Sequence, residues 1–158
     1  MIQGTTSAYP TSIIMADDDL DDRELFSDVL KEIDCNVQLD FAEDGEHLMR
    51  KLYNESIVPD LVFLDLNMPN KGGRECLDLI RSNQKLKDLI VIIFSTSNSP
   101  VDIKETYDKG ANLYVSKPGS FYQLIEMIKK VLTDRQAYKP YSSKSNYVFK
   151  FETNEAYL

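Results

Sequence analysis

The sequence predicts an α/β domain built on a doubly wound, five-stranded parallel sheet. Two observations carry that prediction. Short apolar runs of strand length occur five times, and each is followed by a segment with apolar residues at helical spacing. The resulting order is (βα)5.

The first run is Ser12-Ile13-Ile14-Met15-Ala16. Its unbroken apolar character suits a strand buried on both faces. Leu25, Phe26, Val29, Leu30 and Ile33 follow at helical spacing. Val37-Gln38-Leu39-Asp40-Phe41 alternates and reads as a second strand. Asp44 is placed to cap a helix carrying Leu48, Leu52 and Tyr53. After Pro59, Leu61-Val62-Phe63-Leu64 is a third buried strand that stops at Asp65. Gly72-Gly73 leads into a helix with Cys76, Leu77, Leu79 and Ile80. Leu89-Ile90-Val91-Ile92-Ile93-Phe94 is the clearest strand and stops at Ser95. Pro100 can open the next helix in its first turn. Leu113-Tyr114-Val115 is a short fifth strand, and Phe121, Leu124, Ile125, Ile128, Val131 and Leu132 mark a final amphipathic helix.

The chain has 158 residues, enough for one domain with a sizeable core and short for two. Its net charge of −8 disfavours direct nucleic-acid binding, which needs a basic footprint. Residues 1–10 read as a flexible leader without the basic and apolar regions of a signal peptide. No apolar run approaches the ~20 residues of a membrane helix. Cys35 and Cys76 form no C-x-x-C pair and read as reduced thiols. A cytoplasmic protein is expected. Residues 134–158 read as a C-terminal tail, rich in Tyr, Ser and Lys and too short for a DNA-binding output domain. Within it, residues 147–151 alternate like a strand that could dock or pair.

Open α/β sheets bind ligands at the carboxyl ends of their strands. Asp17, Asp18 and Asp19 stand there after the first strand and Asp65 after the third. Ser95 and Thr96 follow the fourth, and Ser116, Lys117 and Pro118 the fifth. Carboxylates that converge repel unless a cation neutralises them. Mg²⁺ takes oxygen ligands and pairs readily with a phosphate. A carboxylate beside such an ion can attack phosphorus. The three oxygens of a transferred phosphoryl group would then find the cation, the Ser95 hydroxyl and the Lys117 ammonium.

These pieces resemble the response-regulator receiver family of two-component signalling, over residues 12–132. The matching motifs are Met15-Ala16-Asp17-Asp18-Asp19, Leu64-Asp65-Leu66-Asn67-Met68-Pro69, the downstream Gly73, Phe94-Ser95-Thr96-Ser97 and Tyr114-Val115-Ser116-Lys117-Pro118. The resemblance implies a flavodoxin-like strand order 2-1-3-4-5 and a receiver domain over residues 11–133, either chemotaxis-regulator-like or phytochrome-regulator-like. It also implies roles. Asp65 is the phosphoacceptor. Asp18 is the direct Mg²⁺ carboxylate, Asp17 acts through water, and Asn67 gives its backbone carbonyl to the metal. Ser95 is the switch hydroxyl, Lys117 the phosphate counter-ion, and Tyr114 the aromatic that turns inward on activation. Asn67 and Ser97 tune the lifetime of the acyl phosphate. A sensor histidine kinase or phosphotransfer protein is the phosphoryl donor, a protein target the output, and helix four, strand five and helix five a face for a homodimer. No enzyme activity beyond self-phosphorylation and slow autodephosphorylation is implied.

The chain departs from the family pattern at Thr96, where a small residue is commoner, and at Gly119, where an apolar one is. A pseudo-receiver that takes no phosphate is the competing reading, opposed by the intact Asp17, Asp18, Asp65, Ser95 and Lys117 set. A haloacid-dehalogenase-type phosphatase would need a second Asp where Asn67 stands. Asp19, Asp21 and Asp22 read as solvated or capping residues, and His47 as a lone histidine without metal partners.

Overall fold

The five apolar runs become five parallel strands, alternating with five helices, in a computed structural model that describes residues 12–33, 35–54, 58–139 and 144–151. In chain order these are β1 (Ser12–Ala16), α1 (Leu20–Ile33), β2 (Gln38–Ala42), α2 (Gly45–Asn54) and β3 (Leu61–Leu64). Then come α3 (Gly73–Ser82), β4 (Ile90–Ser95), α4 (Pro100–Asp108), β5 (Leu113–Ser116) and α5 (Phe121–Asp134). Single 3₁₀ turns follow at Arg135–Tyr138 and Lys144–Asn146. The sheet order is β2-β1-β3-β4-β5, as the family resemblance implies. The leader read over residues 1–10 lies outside the described residues.

Strand periodicity divides the core in two. Ile13, Met15, Phe63, Ile92 and Val115 face α1 and α5, where Phe26, Val29, Leu124, Ile128 and Val131 are buried. Ile14, Val62, Val91 and Ile93 point the other way, against Leu48 and Leu52 of α2 and Leu77 and Ile80 of α3. Burying both faces of β1, β3 and β4 is why their sequences are apolar throughout. Each large side chain so enclosed contributes roughly 1.5–3 kcal/mol. Leu25, Tyr53 and Phe121, which share helical spacing with core residues, are instead exposed. They sit at the margins of their apolar stripes, where the spacing alone does not separate core from flank.

Short polar side chains fix the helix starts. Asp19 accepts from the amides of Asp21 and Asp22, and Asp44 from the amide of His47. Ser99 and Ser120 cap α4 and α5. Pro100 opens α4, where its missing N–H costs nothing. The alternation at residues 147–151 meets β5: Tyr114 and Val148 form a parallel bridge, and Tyr147 is 1% exposed.

Candidate functional site

Backbone pairing carries the strands one residue beyond their regular ends and sets the site. Ala16 pairs with Leu64, and the next amide, Asp65 N–H, donates to the Ala16 carbonyl at 3.0 Å. Asp17 N–H donates to Ala42 O at 3.0 Å, and Lys117 N–H to Ser95 O at 2.7 Å. Asp17, Asp65, Ser95 and Lys117 are thereby held along one end of the sheet by four different strands. Gly73 lets α3 start against this end. A Cβ there would lie 2.3 Å from the Asp65 carbonyl oxygen, which no side chain tolerates.

The Lys117 ammonium is the hub. It donates to Asp17 Oδ2 at 2.7 Å, Asp22 Oδ2 at 2.8 Å and Asp65 Oδ2 at 3.2 Å. It also lies 5.5 Å from the centre of the Phe94 ring, a cation–π distance. Phe94 belongs to an edge-to-face cluster with Phe26 and Phe63 that floors the site. Asp17 is fully buried and Asp65 nearly so. Burial raises the Asp17 carboxyl above the usual range, against the lowering effect of its bond to Lys117. Burial also works against the Lys117 charge, but the bonds to Asp17 and Asp22 and the charge of Asp65 outweigh it, so its pKa is raised. Lys117 therefore stays an ammonium.

Asp17, Asp18 and Asp65 each offer an oxygen, and these oxygens lie within 4.8 Å of one another. Three hard carboxylate donors, two buried and one exposed, suit a hard divalent cation of the Mg²⁺ or Mn²⁺ kind. One ammonium, that of Lys117, cannot balance the charges of Asp17, Asp18, Asp22 and Asp65.

The remaining candidates lie around this centre. Asn67 is exposed, with its amide 3.3 Å from Asp65 Oδ1. Ser95 is fully buried, and its hydroxyl accepts from the Ser97 amide at 3.2 Å. The Ser97 hydroxyl donates to Asp102 of α4 at 2.5 Å, and Arg74 of α3 bonds both Asp102 and Glu105. Ser97 is thus engaged with α4. Tyr114 is completely buried, with its hydroxyl donating to the Ser97 carbonyl at 2.8 Å. The sequence reading missed Asp22. A run of carboxylates reads as a solvated face, but Asp22 sits in the first turn of α1, which begins beside the strand ends. His47 serves the α2 start: its Nδ1 accepts from the Glu43 amide at 3.2 Å.

This sheet order, with an acidic cluster and a lysine at the strand ends, defines the receiver class of signalling domains. The chain belongs to the response regulator receiver domain family, whose model matches residues 13–129. Response regulator Rcp1 of Synechocystis sp. is 32% identical over 127 residues, covering 77% of this chain and 86% of that protein. The structure of the Mn²⁺-bound form of Rcp1 superimposes with a TM-score of 0.71 at 29% identity, covering 84% of this chain and 98% of that one. The phosphorylated cyanobacterial phytochrome response regulator RcpA gives a TM-score of 0.75 at 30% identity, with coverage of 85% and 99%. Among the described residues no helix is long and apolar enough to cross a membrane.

Proposed function

We propose that Asp65 is the phosphoacceptor of this receiver and that Asp17, Asp18 and Asp65 hold Mg²⁺. The observation that carries the reading is the Lys117 ammonium, 3.2 Å from Asp65 and 2.7 Å from Asp17, beside a three-carboxylate cation site. The solved forms of its relatives, one with Mn²⁺ and one phosphorylated, support it.

The donor is a phosphohistidine on a histidine kinase or phosphotransfer protein. An Asp65 carboxylate oxygen attacks phosphorus in line. The P–N bond breaks, its electron pair stays on the imidazole nitrogen, and that nitrogen takes up a proton. The product is an acyl phosphate on Asp65. Bound Mg²⁺ supplies charge neutralisation for the carboxylates and the phosphoryl oxygens. Lys117 turns toward one phosphoryl oxygen and exchanges a carboxylate partner for it. Ser95 bonds another oxygen. Its movement alters the support for Ser97, whose carbonyl holds Tyr114. The modification thus shifts the population of the α4–β5–α5 surface toward one that a target protein recognises. Asn67 and Ser97 tune the lifetime of the acyl phosphate. A homodimer through the same surface would have to accommodate the segment already lying on β5.

Intact mass after incubation with acetyl phosphate and Mg²⁺ tests this. One added phosphoryl group is expected in the wild type, and none in Asp65→Ala or with EDTA. A gain that survives Asp65→Ala would remove Asp65 from the role. An Asp65→Asn variant that signals as the wild type would favour a phosphate-independent module.

A further inference from the structure

Tyr147 lies well past the end of α5 at Asp134, yet it is among the largest fully buried side chains. Its ring packs edge-on against Tyr107 of α4 at 5.1 Å and Tyr114 of β5 at 6.2 Å. Its hydroxyl donates to Thr106 Oγ1 at 2.7 Å, and that threonine donates onward to the Asp102 carbonyl at 2.8 Å. The backbone is equally engaged. Tyr114 N–H donates to Tyr147 O at 2.9 Å, and Phe149 N–H donates to Tyr114 O at 2.8 Å. Both main-chain groups of Tyr114 that face away from β4 are therefore satisfied by one short segment.

We infer that the outer edge of β5, with the adjoining side of α4, is a strand-docking site whose occupant is this chain's own segment 147–149, and that docking of this segment and phosphoryl occupancy of Asp65 favour one another.

The docking half stands on shape and bonding. β5 presents Leu113, Tyr114 and Val115, with no charge to discourage pairing. The site takes an extended segment in parallel orientation, with a tyrosine whose ring enters the core and whose hydroxyl finds Thr106.

The coupling half rests on the phosphoacceptor reading. A continuous series of contacts runs from Ser95, at the strand end next to that of Asp65, to the segment. The Ser95 hydroxyl holds the Ser97 amide, the Ser97 carbonyl holds the Tyr114 hydroxyl, and Tyr114 carries Tyr147 on both its ring and its backbone. With Tyr147 against it, Tyr114 has no exposed surface. An outward turn of Tyr114 would need room that Tyr147 fills, so the docked segment selects the inward position. A phosphoryl group that draws in Ser95 and its loop selects the same position through Ser97. Two ligands that prefer one state strengthen each other, and the coupling is reciprocal.

The test uses the full chain, with beryllofluoride and Mg²⁺ as the phosphoryl analogue. Amide hydrogen exchange is followed at Tyr114 and Phe149, and analogue affinity is measured for wild type, Tyr147→Ala and Phe149→Pro. The proline removes one donor at a half-buried position, so it reports even if the alanine variant folds poorly. Both amides are expected to be protected at rest and further protected with analogue. In Phe149→Pro the Tyr114 amide should exchange roughly fivefold to tenfold faster, and the analogue should bind roughly fivefold more weakly. Equal analogue affinity in wild type and variants would overturn the coupling. Unprotected amides with the analogue bound would overturn the docking, as would protection that depends on protein concentration. Protected amides with no analogue binding in the wild type would remove the phosphoacceptor reading and the coupling, and leave the docking standing.

Discussion

β2 and β5 both close the sheet, but only β2 leaves its outer edge without a partner strand among the described residues. β2 is Gln-Leu-Asp-Phe-Ala, half-exposed along most of its length. Asp40 accepts from the Phe41 amide at 2.8 Å and pairs with Lys51 of α2 at 2.8 Å. A charged residue that also satisfies the next backbone amide protects an edge that has no paired strand. β5 is buried at Leu113, Tyr114 and Val115, and its edge is filled by segment 147–149. An apolar edge needs a cover, and a cover that can leave is a means of signalling. The proposed switch residues also lie on the β5 side of the sheet, so under the proposed function the covered edge is the one that phosphorylation would reach.

Removing the cover's anchor is the harshest way to break this contrast. Tyr147→Ala deletes a buried aromatic ring, a change that costs about 3 kcal/mol or more in a closed core. A segment that undocks as a unit, leaving the body folded, caps the loss at its docking free energy. Chemical denaturation of the full chain is expected to show a loss of about 2–3 kcal/mol. Leu39→Ala at the other edge removes a half-buried side chain and should cost about 1 kcal/mol. Equal losses at the two edges would erase the distinction.

High pH should attack the same edge, together with the Lys117 site and Tyr138 of the turn after α5. Burial raises the pKa of Tyr147 and Tyr114 and pushes Tyr138 up to about 12. A tyrosine whose folded pKa is raised prefers to be neutral in the folded state. Its stabilising contribution is complete below the ordinary value of 10.0 and is lost as pH rises through the folded values. The raised Lys117 acts in the same direction, above its ordinary 10.5. Stability should therefore fall above about pH 10. Tyrosine ionisation followed by ultraviolet absorbance should show a late component that coincides with loss of the near-ultraviolet circular dichroism. Ionisation complete before any such loss would mean that the β5 tyrosines are not held as described.

The sequence reading succeeded where one element decides its own pattern. β1, β3 and β4 are enclosed on both faces, so Ile13-Ile14-Met15 or Val62-Phe63-Leu64 admit little else. β2 alternates because it is an edge. Asp17, Asp18, Asp65, Ser95 and Lys117 were legible because strand ends in such sheets converge, so distance along the chain ceases to matter. Asp22 was not legible, since only the path of α1 over the strand ends brings it within 2.8 Å of Lys117. The alternation at residues 147–151 was visible, but its destination was not. A short strand in a polar segment carries no mark of which edge it will join, and Tyr147 finds its place only once Thr106, Tyr107 and Tyr114 have been assembled from two other elements.

The mildest intervention makes the uncovered edge resemble the covered one. Asp40→Val removes one side of a part-exposed ion pair, and such pairs contribute at most about 1 kcal/mol. The β-branched replacement suits a strand, so the change in stability by denaturation should stay below about 1 kcal/mol. The larger consequence should be intermolecular. Without Asp40, β2 would expose an uncharged stretch with Leu39 and Phe41 half-buried beside it and, among the described residues, no segment paired with its outer edge. Light scattering across a concentration series should then show more association than the wild type does. If Asp40→Val associates no more than the wild type at the highest concentration, charge is not what protects β2, and the contrast between the two edges rests on the docked segment alone.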